Sequence, residues 1–429
     1  MSIERSHSRI GGPEAWTIWV LATVFVVWLF AIQTGHGIVS PDIQRDAHLT
    51  ISQVAVAASI YTWVFAVIQF FSGALLDRYG TRPLLAISVG LVTAGAFLYA
   101  ATVNIGTLVL AEVVLAVGAS FGFVGAGYVG GKWFIAARYG LMFALVETCA
   151  SVGSAISQPG ISWLLNVVSW QQLLTGFGAF GVLLTVGFVV IVRNPVAAAG
   201  TIAGAQSRRP GANLLAGILS QLESCMANSR VVWSALFAGA SFGTMLAVGV
   251  LWGPRVQQAH GVSPAAAATL TAAAWLGLAV GAPLVNVLSD HFHSREWPAL
   301  IGLMLQAAAV TVFIYGPTGG AASLVVMFGV GLFAGTHMLG FTIAGESVSR
   351  TLIGSAPAIV NGCCFIVGGL LVAIPGYLLP NAPTLADFRS ALWIMPVTLL
   401  LGALCTLGIR DDISSRRHPP PGPLHNPVG

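Results

Sequence analysis

The chain has 429 residues, of which 56% are hydrophobic and only 7% are charged. An average soluble domain has roughly 25% charged residues, so this composition excludes an ordinary soluble protein and indicates a membrane protein. The net charge of +4 therefore bears on membrane topology, and the lipid bilayer rather than nucleic acid is the expected partner.

Long apolar runs separated by short polar breaks predict twelve membrane-spanning helices and an all-α integral membrane fold. A helical span needs about 20 largely apolar residues, whereas barrel strands would be about ten residues long and alternate in polarity. The predicted spans are residues 15–40, 51–76, 84–101, 105–130, 139–164, 172–193, 231–256, 264–289, 298–316, 321–345, 353–379 and 388–409.

The basic residues predict the orientation of these spans. Of the 18 Lys and Arg residues, only Arg45, Arg255 and Arg389 fall at span ends opposite the N-terminus, and the other fifteen share its side. Cytoplasmic loops carry an excess of basic residues, so both termini are expected in the cytoplasm, with the chain in the cell inner or plasma membrane.

The same spans divide the chain into five segments. We expect a cytoplasmic N-terminal segment at 1–14, a six-helix bundle at 15–193, a cytoplasmic linker at 194–230, a second six-helix bundle at 231–410 and a disordered cytoplasmic tail at 411–429. The linker is the one long connection between predicted spans, which suits a junction between two halves.

Short motifs recur about 213 residues apart and predict an internal duplication. Asp77 precedes Arg82 by five residues at the foot of one span, and Asp290 precedes Arg295 in the same way. Further pairs keep their order at offsets of 211–216 residues, such as Pro41-Asp-Ile-Gln44 with Pro254-Arg-Val-Gln257, Val146-Glu147 with Val360-Asn361, and Pro159-Gly160 with Pro375-Gly376. An ordered series of this kind favours two pseudo-symmetric six-helix bundles.

The stretch Gly73-Ala-Leu-Leu-Asp77-Arg78-Tyr79-Gly80-Thr81-Arg82 lies between the second and third predicted spans. It resembles the signature of the major facilitator superfamily at this place, and Lys132-Trp133-Phe134 to Arg138 resembles that family's entry to its fifth helix. The resemblance implies a rocker-switch secondary transporter with one central cavity between the two halves.

In that family the signature aspartate faces the start of the eleventh helix and helps to close the cytoplasmic side. A carboxylate is favoured near the positive N-terminal end of a helix, which agrees with this role. We therefore expect a gate formed by Gly73, Asp77, Arg78, Gly80 and Arg82, with Asp290 and Arg295 in the second copy. Gly73 would allow close helix packing and Gly80 a turn with positive φ. The alternative is a merely solvated turn.

Glu112 and Glu147 are the acidic residues that lie deep inside predicted spans. A charged carboxylate there is costly, which suits a group that takes up a proton in one conformation and releases it in another. Both are therefore candidate proton-coupling residues. The alternative is a neutral carboxylic acid that hydrogen-bonds between helices.

Polar and aromatic residues inside the spans are candidates for lining the substrate cavity: Gln33, His36, Trp63, Gln158, Trp252, Trp275, His337 and Asn361. Each would otherwise serve as an interhelical hydrogen bonder or an interfacial anchor. No Lys or Arg lies in the middle of a predicted span, so two acids without a base favour a neutral, zwitterionic or cationic solute over a dianion. Arg255 would either attract an anion at the mouth or anchor the interface.

Other function classes find little support in the sequence. Gly125, Gly127, Gly130 and Gly131 resemble a phosphate loop only superficially, because no strand precedes them and no Gly-Lys-Ser/Thr follows. The five cysteines lie mostly in apolar runs without metal-ligand spacing, and no catalytic triad spacing appears. We therefore expect no enzyme, no cofactor and no metal site.

The sequence thus predicts a proton-coupled secondary active transporter that moves a small polar organic solute by alternating access, as a monomer and as either a symporter or an antiporter. Proton-antiport efflux of drug-like compounds is an alternative within the same class. A transport-dead membrane sensor on the same fold is a second alternative.

Overall fold

In the computed structural model, the described residues are 11–135, 139–194, 214–316, 320–348, 352 and 355–409. Within these ranges every side chain is described except those of residues 74, 77, 78, 139–141, 214 and 215. Residues 1–10 of the predicted N-terminal segment, residues 195–213 of the predicted linker and the whole predicted tail lie outside the described residues, so those segments stay predictions.

In the first half, the described residues form seven helices that make six spans. They are α1 (Pro13–Asp46), α2 (Ile51–Tyr79), α3 (Thr81–Ala100), α4 (Ile105–Ala119), α5 (Gly122–Trp133), α6 (Tyr139–Leu164) and α7 (Trp170–Ile191). The fourth span contains both α4 and α5, since the helix is interrupted at Ser120 and Phe121.

The second half begins with a short helix, α8 (Leu214–Met226), and continues through six more spans. These consist of α9 (Ser229–Ala247), a π-helical turn (Val248–Trp252) and α10 (Gly253–Ala259), then α11 (Pro264–His291), α12 (Glu296–Tyr315), α13 (Gly320–Ala334) with α14 (His337–Glu346), α15 (Ser355–Leu378), and α16 (Leu385–Leu392) with α17 (Ile394–Thr406). Within the described residues, eleven spans are long and apolar enough to cross a membrane, and α6 supplies the twelfth. The all-α, twelve-span prediction is confirmed.

Four of the six even-numbered spans begin with a capping box. Thr50, Asn104, Ser169 and Thr384 each accept a hydrogen bond from the backbone N–H three residues on, and the side chain at that position bonds back to the cap. Such capping boxes satisfy two of the free N–H groups that every helix start leaves open. The caps fix where the chain turns back into the bilayer on the side opposite the N-terminus.

The duplication is visible in the backbone as well as in the sequence. His48 and Gly261 both have positive φ, at 52° and 83°, and their numbers differ by 213. Gly80 and His293 also have positive φ, at 76° and 51°, and differ by the same 213 residues. Positive φ therefore recurs at the same two positions of each half, although the residue types have changed.

The two halves pack together mainly through three pairs of spans. α2 lies against α15, α6 against α11, and α1 against the seventh span, which α9, the π-helical turn and α10 form together. Gly37 of α1 sits against the carbonyl of Val250, where a Cβ atom would collide with backbone. On the outer surface, large apolar side chains such as Leu183 and Val190 are exposed, as expected of residues that face lipid.

Candidate functional site

A small cavity at the centre of the molecule brings both halves together. Its volume is about 10 Å³, and it is lined by nine residues: Phe30, Phe65, Phe123 and Glu147 from the first half, and Phe242, His337, Phe341, Asn361 and Phe365 from the second. We call it the Glu147 cavity. Three of the polar residues predicted for coupling and substrate binding, Glu147, His337 and Asn361, therefore lie in one place.

Glu147 projects from α6 and is only 2% exposed. Its Oε1 accepts a long hydrogen bond of 3.5 Å from the hydroxyl of Ser151, one helical turn further along. Among the described residues, no Lys or Arg side chain lines the same cavity. The carboxyl group thus has one weak protein partner and no cationic one in this cavity.

The second half contributes an imidazole and an amide. His337 stands directly after the break between α13 and α14, and its Nδ1 donates to the carbonyl of Ala334 at 2.8 Å. Asn361 is 4% exposed, and its Nδ2 is buried without a hydrogen-bond partner in the described structure. A buried amide without a partner is costly, so this group is available to a bound solute.

Aromatic rings form most of the cavity wall. Phe65 and Phe365 stack across the boundary between the halves with ring centroids 3.8 Å apart. Phe242 lies against the imidazole of His337 at 4.6 Å, and Phe123 meets Phe341 edge-on at 6.4 Å. These rings fill the space between the halves and exclude water from Glu147.

A second cavity of about 20 Å³ lies further from the N-terminal side, mostly within the first half. Gln33, His36, Tyr61, Tyr99 and Glu112 are its main polar lining. We call it the Glu112 cavity. Such a volume is enough for about one water molecule.

A histidine, a tyrosine and an acid meet in the Glu112 cavity. Nδ1 of His36 lies 3.0 Å from Oε1 of Glu112 and 2.5 Å from the hydroxyl of Tyr99. Both amide atoms of Gln33 are buried nearby without partners. The structure thus brings together two residues predicted for different roles, and adds Tyr99, which the sequence analysis missed because a tyrosine near a span end is typical of an interfacial anchor.

Gln158 joins the two halves instead of lining either cavity. Its Nε2 donates to the carbonyls of Gly249, at 2.8 Å, and Thr34, at 3.3 Å. Gly249 belongs to the π-helical turn. In this conformation Gln158 is therefore an interhelical hydrogen bonder, the alternative considered for it.

The signature turn connects α2 and α3. Gly80 has φ of 76°, as predicted, and a Cβ atom there would collide with the side chain of Asn194. Oδ1 of Asn194 accepts from the backbone N–H of Arg82 at 3.0 Å, so it helps to cap α3. Gly73 is buried in α2 and the Arg82 side chain is exposed. The side chains of Asp77 and Arg78 lie outside what the structure describes.

The second copy of this motif forms an ion-pair network. Arg295 donates to Asp290 at 2.7 Å, to the hydroxyl of Ser289 at 2.8 Å and to Glu346 at 2.9 Å. The arginine is 8% exposed, although it stands at a helix end. It ties the foot of α11 to the end of α14, and Glu346 is a partner that the sequence analysis did not identify.

Arg255 joins the halves at the ends opposite the N-terminus. Its Nη2 donates to the hydroxyl of Ser40 at 3.1 Å and to the side-chain oxygen of Gln44 at 3.3 Å. Ser40 and Gln44 belong to α1, whereas Arg255 belongs to α10. Of the two roles considered for Arg255, this geometry favours the interface anchor.

The family model of the Major Facilitator Superfamily matches residues 19–373, with a second match over residues 248–428. The chain belongs to the major facilitator superfamily. Similar proteins include "Uncharacterized transporter YybO" of Bacillus subtilis, 21% identical over 95% of this chain and 97% of that protein. The "Probable galactarate/D-glucarate transporter GarP" of Escherichia coli strain K12 is 19% identical over 92% and 94%. Both relatives are named as transporters.

The fold is also that of solved superfamily transporters. A bacterial homologue of the human lysosomal transporter Spinster, solved in an inward-facing and unoccupied conformation, superposes with a TM-score of 0.71. The two sequences are 16% identical, and the match covers 93% of this chain and 98% of that one. The superfamily architecture predicted from the sequence is thereby confirmed.

Three tryptophans were candidates for lining the substrate cavity of this superfamily member. Trp63 is 44% exposed and packs on Gly369, whereas Trp252 is fully buried and donates to the carbonyl of Leu371 at 3.0 Å. Trp275 is fully buried beside Gly249. None of the three lines either cavity in this conformation, so a place for them in the substrate cavity stays a prediction.

Proposed function

We propose that this chain is a proton-coupled secondary active transporter that moves a small organic solute across the membrane by alternating access. The observation that carries the proposal is the Glu147 cavity, where a buried carboxyl group faces side chains of the other half. A solute bound there would touch both halves at once. If one half rocked against the other, the solute would become accessible from the opposite side of the membrane.

Glu147 is proposed as the main coupling residue. A buried carboxylate without a cationic partner in its cavity is costly, so binding or release of a proton there changes the relative stability of the conformations. Its symmetry mate is Asn361, an amide that cannot titrate. A purely structural hydrogen bonder would be equally well served by an amide in both halves.

Glu112 and His36 are proposed as a second coupling pair. Their side chains face each other in the Glu112 cavity at 3.0 Å, and both are almost fully buried. A proton shared between imidazole and carboxyl there would be exposed when the side opposite the N-terminus opens. Gln33 lies close enough to bind a solute that reaches this cavity.

The gate and the topology are proposed as the sequence predicted them. Asp77 and the turn around it would hold the cytoplasmic side closed, with Asp290 and Arg295 as the counterpart in the second half. Both termini would lie in the cytoplasm of a cell with this chain in its inner or plasma membrane. The relatives named for galactarate, D-glucarate and L-galactonate support a small organic solute, which is the shared element of their names.

The experiment uses purified protein in proteoliposomes with an imposed pH gradient. A panel of galactarate, L-galactonate, sulfoacetate and organic ammonium ions is screened by uptake, and accumulation is then compared with equilibrium exchange without a gradient. Glu147→Gln is expected to retain exchange at saturating solute but to lose gradient-driven accumulation. Glu223→Gln, the same change at an exposed position of α8, is the matched control.

Two outcomes would contradict the proposal. If Glu147→Gln accumulates solute as the wild type does, Glu147 is only an interhelical hydrogen bonder. If wild-type protein moves no member of the panel in either assay, the result favours the transport-dead sensor over a transporter of these solute classes.

A further inference from the structure

The lining of the Glu147 cavity bears on the kind of solute that it accepts. Six of its nine residues are phenylalanines, and the remaining three are an acid, a histidine and an asparagine. Sites for polyhydroxy acids rely on many hydrogen-bond partners, and a basic side chain commonly holds each carboxylate. The Glu147 cavity offers few hydrogen-bond partners, and no Lys or Arg is among its lining residues.

We propose that the solute of this chain is an organic cation with an apolar body, such as an aryl- or alkylammonium ion, which exchanges with a proton at Glu147. The inference rests on the proposed function and names the substrate class of that same site. It departs from the relatives whose names refer to sugar acids.

The aromatic wall supports a cationic headgroup. Aromatic faces attract a quaternary or protonated ammonium, and recognition of such ions by several rings around one site is a recurring arrangement in proteins. Phe65 and Phe365 stack from opposite halves, and Phe242 and Phe341 enclose the His337 side. An apolar body would replace the ring-to-ring contacts that now fill the space.

The carboxyl group supplies the charge. Glu147 accepts only the 3.5 Å bond from Ser151 among the hydrogen bonds of the described structure, so an ionised carboxylate there lacks compensation until a cation binds. The amide of Asn361, whose Nδ2 has no partner, would donate to a polar group of the solute or to the carboxylate itself. An anionic solute would face Glu147 with like charge.

The exchange has a defined balance. When Glu147 is protonated, binding of a monovalent cation breaks the carboxyl O–H bond, and the proton passes to water as the carboxylate pairs with the cation. The other titratable groups of the described structure that face Glu147 are His337 on α14 and the buried thiol of Cys364 on α15. One proton is therefore expected to leave for each cation that binds.

The test compares three probes that share a phenylalkyl chain and differ in their polar group: phenylbutyltrimethylammonium, phenylbutyrate and phenylbutanol. Galactarate is added as a polyhydroxy acid. The quaternary ammonium has no dissociable proton, so any proton released comes from the protein. Calorimetric titration of the purified chain is carried out from acidic to alkaline pH in two buffers with different ionisation enthalpies, which gives both the affinity and the number of protons released.

We expect the cation to bind at least about tenfold more tightly than the acid, a ratio that about 1.4 kcal/mol provides. Its affinity should rise by about tenfold per pH unit where Glu147 is protonated, with one proton released. Glu147→Gln should weaken binding of the cation by more than about 30-fold, because a buried charge partner is lost. The affinity for phenylbutanol should stay nearly unchanged. Phe365→Leu, which keeps an apolar side chain but removes the ring, should weaken binding of the cation by about tenfold.

His337→Gln serves as the second variant. If Glu147 is the source of the proton, cation binding to this variant should still release one proton. The inference is overturned if phenylbutyrate or galactarate binds more tightly than the cation. It is equally overturned if no probe binds, or if cation affinity is independent of pH and unchanged in Glu147→Gln. The proposed function fails on other grounds, namely when Glu147→Gln still accumulates whichever solute the protein moves.

Discussion

Nδ1 of His36 lies 3.0 Å from Oε1 of Glu112, and both side chains are almost fully buried. The two residues lie 76 positions apart in the sequence, His36 on α1 and Glu112 on α4. A histidine and a carboxyl in contact inside a membrane protein belong to one polar network, so changing either one alters the surroundings of the other.

This pairing predicts a specific pattern in a double-mutant cycle. Glu112→Gln and His36→Gln should each reduce gradient-driven solute accumulation in proteoliposomes by a similar factor. The double variant should be no worse than either single variant, since residues in one network are not additive. Factors that multiply in the double variant would show that the two groups act independently. Tyr99→Phe removes the third partner and should have the smaller effect.

The two symmetry-related turns predict changes of opposite sign. Gly80→Ala should destabilise the protein by about 1–2 kcal/mol, because an L-residue there has positive φ and its Cβ would meet Asn194. His293→Gly should stabilise by up to about 1 kcal/mol, since glycine relieves the same backbone cost. Melting of the purified protein measures both. Gly176→Ala, in α7 with open space around it, is the control. Equal shifts at positions 80 and 293 would contradict the argument.

Span positions were the most predictable part of the fold, because lipid imposes one requirement on every residue of a span. The third span was predicted at 84–101 and is Thr81–Ala100. The first continues to Asp46, beyond the predicted end at 40, because Pro41 and the charged residues after it form a last helical turn rather than a loop. The interruption after Ala119 was not predicted, since the apolar run continues through it.

The site was predictable by residue type but not by location. Acids and amides inside spans are rare, so Glu147 and Asn361 were conspicuous in the sequence. That they share one cavity while Glu112 belongs to another depends on how twelve helices pack. The aromatic wall had no sequence signal, because 22 phenylalanines are spread through a chain where most of them serve lipid contact or packing.

The charge asymmetry predicts the orientation of the chain. In a variant without the five native cysteines, a cysteine at Ser224 on α8 should react only with reagent on the cytoplasmic side. A cysteine at Val103, which is 68% exposed and stands just before the cap of α4, should react only from outside. Position 103 leaves the capping box of Asn104 intact. A membrane-impermeant maleimide applied to intact cells makes the comparison, and reversed labelling would overturn the topology.

A contact of Arg255 between the two halves bears on how the side opposite the N-terminus opens. Arg255 donates to Ser40 and Gln44 across the two halves, and these bonds must break before that side opens. A hydrogen bond to a charged group contributes about 1.5–3 kcal/mol, so Arg255→Gln should raise the open population by about tenfold or more.

A cysteine at Thr62, which lines the Glu112 cavity and is 2% exposed, reports that opening. In a variant without native cysteines, its labelling by a small maleimide added from outside should accelerate when Arg255 is changed. Arg389→Gln is the matched control, because Arg389 is predicted on the same side but bonds to the carbonyls of Ile314 and Tyr315 within its own half. With Arg389→Gln, the cysteine at position 62 should be labelled at the same rate as in the parent. Equal acceleration by both changes would mean that loss of any arginine on this side loosens the structure, and Arg255 would then not be a specific closure contact.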